Sequence, residues 1–230
     1  MVGTPTYGAT RDRVEEYFDR TATTAWERLT SDAPVSGIRQ TVREGRDRMR
    51  DIMLSRLPED LTGRRVLDAG CGTGAMAEIL AERGAEVVAI DISPQLVSIA
   101  ESRIPADLTH KITFASGDML STHLGEFDHI LAMDSMIYYS AEDLGRAIAG
   151  LSERSRHSIV FTVAPRTPFL MAFFGMGKLF PRSDRSPTMV PHAPRTIARE
   201  TTRSGGTGVL NEVERVSRGF YISTCLEYRI

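Results

Sequence analysis

The residues with the clearest chemical potential lie between 66 and 74, where the sequence reads VLDAGCGTG. Glycines stand at 70, 72 and 74, and Asp68 precedes the first of them by two residues. Glycine lets a backbone turn sharply and approach a ligand more closely than a Cβ would allow. A helix that starts after such a loop has an N-terminus that favours negative charge. The segment is therefore expected to hold a carboxylate or a pyrophosphate of a cofactor.

Two further acidic residues follow the next two strand-like segments. Asp91 comes at the end of 86–90, and Asp118 comes after Gly117, which follows 111–115. The first carboxylate is placed to accept hydrogen bonds from both hydroxyls of a ribose, and the second to bind an adenine amino group. Taken alone, the loop also fits the relaxed dinucleotide fingerprint GxGxxA. A nucleotide-binding domain for a different cofactor is therefore the alternative at this point.

An alternation of strands and helices must position these side chains. From residue 64 to 163 strand-like runs alternate with helical ones, and this rhythm predicts a parallel sheet covered by helices on both faces. The strands are expected at 65–69, 86–90, 111–115, 127–133 and 158–163, and the helices at 75–83, 94–104 and about 142–154.

The segment before this alternation is expected to be helical. One or two short helices are predicted within 9–32 and a longer one at 36–57. The apolar residues of the longer helix share one face, and its arginines at 39, 43, 46, 48 and 50 are expected mostly to face away from it. Residues 1–62 are therefore predicted to form a helical arm, and 63–230 to form one α/β domain.

The segment after the alternation is different again. Residues 165–191 contain five prolines and an apolar run, which is typical of an insertion and here suggests a substrate-binding one. A helix is expected at 194–203, and two strands at 208–217 and 219–229 close the chain. The turn between the two strands is too short for a parallel crossover, so they are predicted to pair antiparallel.

Composition excludes several classes of protein. The formal net charge is −2, and the chain lacks the basic surplus or tail that nucleic-acid binding requires. The two cysteines, at 71 and 225, are too few for a disulfide framework and fit no zinc-site spacing. No segment has the ~20 apolar residues of a membrane span, and the first residues do not resemble a signal peptide. A cytosolic protein with reduced thiols is expected.

These motifs together resemble those of class I S-adenosylmethionine-dependent methyltransferases. The resemblance rests on DxGxGxG at 68–74, the acid after the second strand, Gly-Asp at 117–118 and FDHI at 127–130. It implies a Rossmann-like α/β fold with a seven-stranded, mostly parallel sheet whose last strand is antiparallel. It also implies S-adenosylmethionine as the co-substrate, bound by Tyr17, Trp26, Asp68, Gly70, Cys71, Gly72, Asp91, Ile92, Asp118, Met119 and Met133.

The outer segments resemble one family in particular, the magnesium-protoporphyrin IX methyltransferases of bacteriochlorophyll synthesis. The similarity rests on YFDR at 17–20, MDSMIYY at 133–139, APRTP at 164–168, GKLFP at 177–181 and YIS at 221–223. Members of this family methylate one propionate of Mg-protoporphyrin IX to give the monomethyl ester. A propionic acid with a pKa near ~4.3 is already ionised at neutral pH, so its oxygen needs no general base.

The resemblance implies roles for several side chains. Tyr17 and Tyr138 are expected near the reacting groups, although relatives carry a histidine at the position of Tyr138. The substrate is expected to contact Tyr139, Arg166, Phe169, Phe173 and His192. The alternatives are that the apolar run is a core helix covering the sheet and that Arg166 and His192 are ordinary surface residues. The protein itself is expected to hold no metal, because the magnesium is carried by the porphyrin.

The resemblance also implies two possible partners, and it leaves two other functions open. The large porphyrin-binding subunit of magnesium chelatase is a family-level partner, and contact with the photosynthetic inner membrane is expected to be peripheral at most. One alternative is methylation of another small acceptor, such as a quinone-like phenol. The other is a non-catalytic porphyrin-binding protein that uses the nucleotide fold as a scaffold.

Overall fold

A computed structural model describes residues 6–19, 37–166 and 187–230 of the chain. Two helices come first, and an alternation of strands and helices follows. The elements are α1 (Tyr7–Tyr17), α2 (Gly37–Leu54), β1 (Arg65–Ala69), α3 (Ala75–Glu82), β2 (Glu86–Asp91), α4 (Pro94–Arg103), β3 (Ile112–Ser116), β4 (Phe127–Ala132), α5 (Ala141–Ser152), β5 (Ser155–Val163), α6 (Pro194–Arg203), β6 (Val209–Arg218) and β7 (Tyr221–Arg229).

Seven strands form one sheet in the order β3-β2-β1-β4-β5-β7-β6. The first five pair in parallel, and β7 pairs antiparallel with both β5 and β6. The hairpin between β6 and β7 turns at Gly219, whose φ of 57° lies in the left-handed region that glycine adopts without strain. The predicted Rossmann-like sheet with an antiparallel last strand is therefore confirmed.

Alternate residues of the central strands feed two hydrophobic clusters, one on each face of the sheet. Val66 of β1 belongs to one cluster and Leu67 to the other, as the two-residue period of a strand requires. Met49 and Met53 of α2 are fully buried in the same cluster as Val66. The second half of α2 therefore shares the core of the sheet, and a domain division after residue 62 stays a prediction.

Two boundaries differ from the predicted ones for local reasons. α2 ends at Leu54 because the next turn closes with a hydrogen bond that spans three residues instead of four, from Leu57 N to Leu54 O. β5 starts at Ser155, three residues earlier than expected, because Ser155 pairs with Phe127 on the far side of a register shift in β4. Within the described ranges, none of the helices combines the length and the apolar character that crossing a bilayer requires.

Candidate active site

The glycine loop leaves β1 and turns into α3 at the carboxyl end of the sheet. Gly70 and Gly74 have φ values of 88° and 89°, which other residues rarely adopt. The N–H groups of Gly70 and Cys71 donate to Ile90 O at 2.7 and 3.0 Å, and this ties the loop to β2. A Cβ at position 70 would collide with the Ser135 side chain. The loop therefore fits closely between the ends of two neighbouring strands.

Asp91 links the glycine loop to the end of β2. Its Oδ2 accepts a hydrogen bond from Gly72 N at 2.9 Å, and its Oδ1 accepts one from Ser93 N at 3.0 Å. The residue is only 8% exposed. Burial raises the pKa of this carboxyl group, and the two N–H bonds act in the opposite direction. Asp91 thus holds the loop in place and also presents its carboxylate to the adjacent cavity.

Asp68 contributes an unsatisfied oxygen to the same cavity. Its Oδ2 is buried and finds no hydrogen-bond partner in the part of the chain that the structure describes. Burial, and then the nearby Asp91, raise the pKa of Asp68 to about 7, while a hydrogen bond from the Ala77 backbone and the positive charge of Arg50 act in the opposite direction. An unpartnered buried carboxylate oxygen is costly. A bound ammonium group would satisfy it.

Asp118 is held from the opposite side by α1. The Tyr7 hydroxyl donates to its Oδ1 at 2.8 Å, and an Arg11 amino group donates to its Oδ2 at 3.4 Å. The Tyr7 ring stacks on Tyr139 with 4.8 Å between the ring centroids. Leu120 N also donates to Asp118 Oδ1, at 2.9 Å. Helix α1 therefore closes one end of the site through Tyr7 and Arg11, two residues that were not among the predicted cofactor contacts.

These groups surround one cavity of about 280 Å³. It lies outside the carboxyl ends of the strands, where open α/β sheets bind their ligands. Burial raises the pKa of the Cys71 thiol well above its usual value, so Cys71 contributes its backbone rather than a thiolate. Most of the predicted cofactor-binding residues line this cavity, namely Asp68, Gly70, Cys71, Gly72, Asp91, Ile92, Asp118, Met119 and Met133.

Tyr138 also lines the cavity, next to several charged groups. Burial raises the pKa of its hydroxyl, and so do Asp134 and Tyr17, while Arg46 lowers it. The hydroxyl therefore stays protonated at neutral pH and is a hydrogen-bond donor rather than a base. Phe18 contacts the edges of both tyrosines, with 6.4 Å to the Tyr138 centroid and 5.3 Å to that of Tyr17. The structure thus brings Tyr17 close to Tyr138, although Tyr17 does not itself line the cavity.

The predicted substrate contacts are not brought together in this way. Tyr139 lines the cavity but stacks on Tyr7, beside Asp118. His192 is buried away from the cavity, where its Nε2 donates to Tyr139 O at 2.9 Å and burial lowers its pKa. Arg166 is exposed and is not part of the cavity wall either. Trp26, Phe169 and Phe173 lie outside the described residues.

Two helix faces in the cavity wall were not predicted from the sequence. Tyr7, Arg11, Val14 and Phe18 recur at helical spacing along α1, and Arg43, Arg46, Asp47 and Arg50 do so along α2. The arginines of α2 were expected mostly to face away from its apolar side, and no part in a cavity was predicted for them. Arg43, Arg46 and Arg50 line the cavity. Their spacing of three and four residues was the available signal.

Comparisons with known proteins cover both halves of the chain. Residues 132–229 match the family model described as magnesium-protoporphyrin IX methyltransferase C-terminus, and residues 66–157 match a methyltransferase domain. A magnesium-protoporphyrin O-methyltransferase of Rhodobacter capsulatus is 60% identical over 224 residues, which are 97% of this chain and 98% of that protein.

Two further matches differ in the share of the chain that they cover. A crystal structure of magnesium protoporphyrin IX methyltransferase from Synechocystis PCC 6803 with bound SAH is 27% identical, with a TM-score of 0.81, and the match covers 95% of this chain and 99% of that one. A ubiquinone biosynthesis O-methyltransferase of Xylella fastidiosa is 41% identical over only 37% of this chain and 35% of that protein.

Proposed function

The chain belongs to the magnesium-protoporphyrin IX methyltransferases, and from this premise we propose that it transfers a methyl group from S-adenosylmethionine to one propionate of Mg-protoporphyrin IX. The product is the monomethyl ester, an intermediate of chlorophyll and bacteriochlorophyll biosynthesis. The observation that carries the cofactor part of the proposal is the unpartnered oxygen of Asp68, buried in a cavity that also contains Asp91 and Asp118. The acceptor part is supported by the 60% identity to the Rhodobacter capsulatus enzyme. A cofactor with an ammonium group and a sulfonium group suits three carboxylates.

Four charged residues of the cavity suit different parts of this cofactor. Asp68 and Arg50 carry opposite charges near each other and fit the ammonium and carboxylate of the methionyl end. Asp91 fits the ribose hydroxyls, and Asp118 fits the amino group of adenine. Ile92 and Met119, which line the same cavity, supply apolar surface for the adenine ring. The fold already holds these carboxylates and N–H groups in place, so binding of the cofactor costs little conformational entropy.

The affinity for S-adenosylmethionine is expected to fall as the pH is lowered below 7. The pKa of Asp68 is raised to about 7 by its burial and by Asp91. A bound ammonium would lower that pKa, so below pH 7 binding must release a proton and becomes weaker. One linked proton gives a loss of at most about tenfold per pH unit. Calorimetric titration between about pH 5.5 and 7.5 measures it.

Asp68→Asn is the control for this pH dependence. The amide does not titrate, so this variant should bind the cofactor more weakly and with a flatter pH profile over the same range. An equally steep profile in the variant would show that another group is responsible.

The acceptor side of the cavity needs to position a nucleophile rather than activate it. S-adenosylmethionine supplies a methyl group on positively charged sulfur, which leaves as a neutral thioether when a carboxylate oxygen attacks. The propionate is already ionised at neutral pH, so no base is needed and Tyr138 is proposed to act as a hydrogen-bond donor. The protonated hydroxyl of Tyr138 fits that role. Correct orientation of two bound reactants can account for ~7–11 kcal/mol of a barrier.

Tyr17→Phe is expected to lower kcat about two- to tenfold, the effect of one hydrogen bond. We propose that the Tyr17 hydroxyl, which lies close to Tyr138, helps to orient the reacting groups. Steady-state kinetics measures the loss, and the melting temperature should stay within about 1 °C of the wild type because the ring is retained. Identical kinetics would show that the hydroxyl is dispensable.

The remaining expected contacts stay proposals. Trp26 for the cofactor, and Phe169 and Phe173 for the flat macrocycle, are supported by their residue types and by the family resemblance. The exposed guanidinium of Arg166 is proposed to meet the substrate at its edge, and His192 to act through Tyr139. The same resemblance supports contact with the large subunit of magnesium chelatase and with a membrane surface.

Incubation with Mg-protoporphyrin IX and methyl-labelled S-adenosylmethionine tests the function. Label is expected in a porphyrin ester that can be extracted and hydrolysed by alkali. A parallel incubation replaces the porphyrin with a quinone-like phenol, and label on the phenol but none on the porphyrin would favour the alternative acceptor. Porphyrin binding without any transfer would favour a binding protein. The match to ubiquinone-type enzymes covers about a third of the chain, so the porphyrin acceptor is the better supported of the two.

A further inference from the structure

We propose that Arg46 binds the propionate of Mg-protoporphyrin IX that is not methylated, an inference that rests on the proposed function. Arg46 lies on the cavity-facing side of α2, and its side chain is 18% exposed. One of its amino groups donates to Asp134, whose carboxylate is 11% exposed and also lines the cavity. This half-buried ion pair is a built feature of the cavity wall.

The backbone conformation of Asp134 and its contacts with β5 and β7 fix the position of the pair. Asp134 has a φ of 56°, a strained conformation for a residue other than glycine. Its carboxylate accepts hydrogen bonds from Thr162 Oγ1 of β5 at 3.0 Å and from the Tyr221 hydroxyl of β7 at 3.1 Å. Its N–H donates to Thr162 Oγ1 at 2.7 Å. Strain of this kind persists mainly at functional sites, where surrounding contacts hold it.

The contact of α2 with the last hairpin sets where Arg46 lies. Tyr221 packs directly on Gly45, and a Cβ there would be 2.7 Å from the Tyr221 ring. The residue before Arg46 therefore has to be small for the helix to approach so closely. The Tyr221 hydroxyl also donates a hydrogen bond to Asp134. Tyr221 therefore positions both α2, which carries Arg46, and the carboxylate that Arg46 pairs with.

The chemistry of the pair indicates what Arg46 recognises. A guanidinium has five donors in a planar fork, so it can hold Asp134 and a second carboxylate at once. The charges of Arg46, Asp134 and Asp91 all influence the pKa of the Tyr138 hydroxyl, and all four residues line the same cavity. Arg46 therefore lies next to the place where the cofactor and the acceptor meet.

The reacting carboxylate is the less suitable partner for Arg46. That carboxylate loses its charge as it takes up the methyl group, so a guanidinium on it would stabilise the ground state more than the transition state. The other propionate keeps its charge throughout. Protoporphyrin carries its two propionates on neighbouring pyrrole rings, so holding one of them orients the other.

Binding of three porphyrins distinguishes these roles, in the presence of S-adenosylhomocysteine so that no turnover occurs. The ligands are Mg-protoporphyrin IX, its enzymatic monomethyl ester and its dimethyl ester, followed by porphyrin fluorescence. The wild type should bind the diacid and the monoester with similar affinity, and the dimethyl ester about 10- to 100-fold more weakly, the effect of one charged hydrogen-bonded pair. Arg46→Gln should bind the monoester and the dimethyl ester alike.

Two further variants control for folding and for charge. Arg48→Gln makes the same change on the same helix, at a side chain that is 59% exposed and pairs with Glu214, and should keep the wild-type ratio. Arg46→Lys keeps the charge opposite Asp134 but loses the planar fork, so it should fold and show a smaller ratio than the wild type. An unchanged ratio in Arg46→Lys or Arg46→Gln would overturn the proposal.

The wild type alone separates this inference from the proposed function. If it methylates the porphyrin but binds monoester and dimethyl ester equally well, Arg46 does not hold the spectator propionate. If it transfers no methyl group to the porphyrin at all, the proposed function is what has failed.

Discussion

Replacing Asp91 with alanine is expected to weaken the binding of S-adenosylmethionine by about 100-fold or more. The carboxylate accepts hydrogen bonds from Gly72 N and Ser93 N, and both donors would lose their partner. Each unsatisfied buried donor costs about 1–3 kcal/mol. The proposed bonds to the ribose hydroxyls would be lost as well, and charged hydrogen bonds contribute about 1.5–3 kcal/mol each. Isothermal titration with the cofactor measures the change.

Two variants make this result interpretable. Asp91→Asn keeps one acceptor oxygen and should bind with intermediate affinity. Asp107→Ala removes an exposed aspartate from the same domain and should leave the affinity unchanged. If Asp91→Ala folds and binds the cofactor within about twofold of the wild type, the carboxylate has no part in binding the cofactor, and the proposed contact to the ribose is wrong.

Gly70→Ala is expected to lower the free energy of unfolding by about 2–5 kcal/mol and to abolish cofactor binding. The φ of 88° costs an alanine about 1–2 kcal/mol, and the new Cβ would meet the Ser135 side chain. Forcing an extra carbon into a packed site costs about 1–3 kcal/mol more. Relief of the clash has to move either the loop or the segment that follows β4, and both carry cavity residues. Chemical denaturation and cofactor titration measure the two effects.

Gly150→Ala is the matched control for this change. Gly150 lies in α5, and a Cβ there would meet no atom within 4 Å. Alanine is the better helix former, so this variant should be more stable than the wild type by about 0.5–1 kcal/mol. Equal destabilisation by the two substitutions would mean that the conformation of the loop is not what Gly70 contributes.

The succession of strands and helices along the chain and the cofactor half of the site could be predicted because both are local in sequence. Asp68 lies one residue before the end of β1, Asp91 is the last residue of β2, and Asp118 lies two residues after the end of β3. In a parallel sheet such ends come together at one edge, so spacing along the chain determines proximity in space. Predicted boundaries were correct to within about three residues for the same reason.

The helix faces that complete the cavity were not predictable in this way. The spacing of Arg43, Arg46 and Arg50 separates these three residues from Arg48, but it does not indicate that the side they share faces a cavity rather than solvent. Arg48 pairs with Glu214 on the surface, whereas Arg46 enters the cavity and meets Asp134. The direction of α2 is set by Tyr221 on Gly45, a contact between residues that are far apart in the chain.

The sequence by itself determined the glycine loop, the three carboxylates and the kind of cofactor that they suit. These depend on φ angles and strand ends, which neighbouring residues largely dictate. Only the tertiary structure decided which residues of α1 and α2 cover the loop. Tyr7 reaches Asp118 across 111 positions, and Arg46 reaches Asp134 across 88. Such contacts depend on how helices pack on a finished sheet, and the period of a single helix cannot specify that.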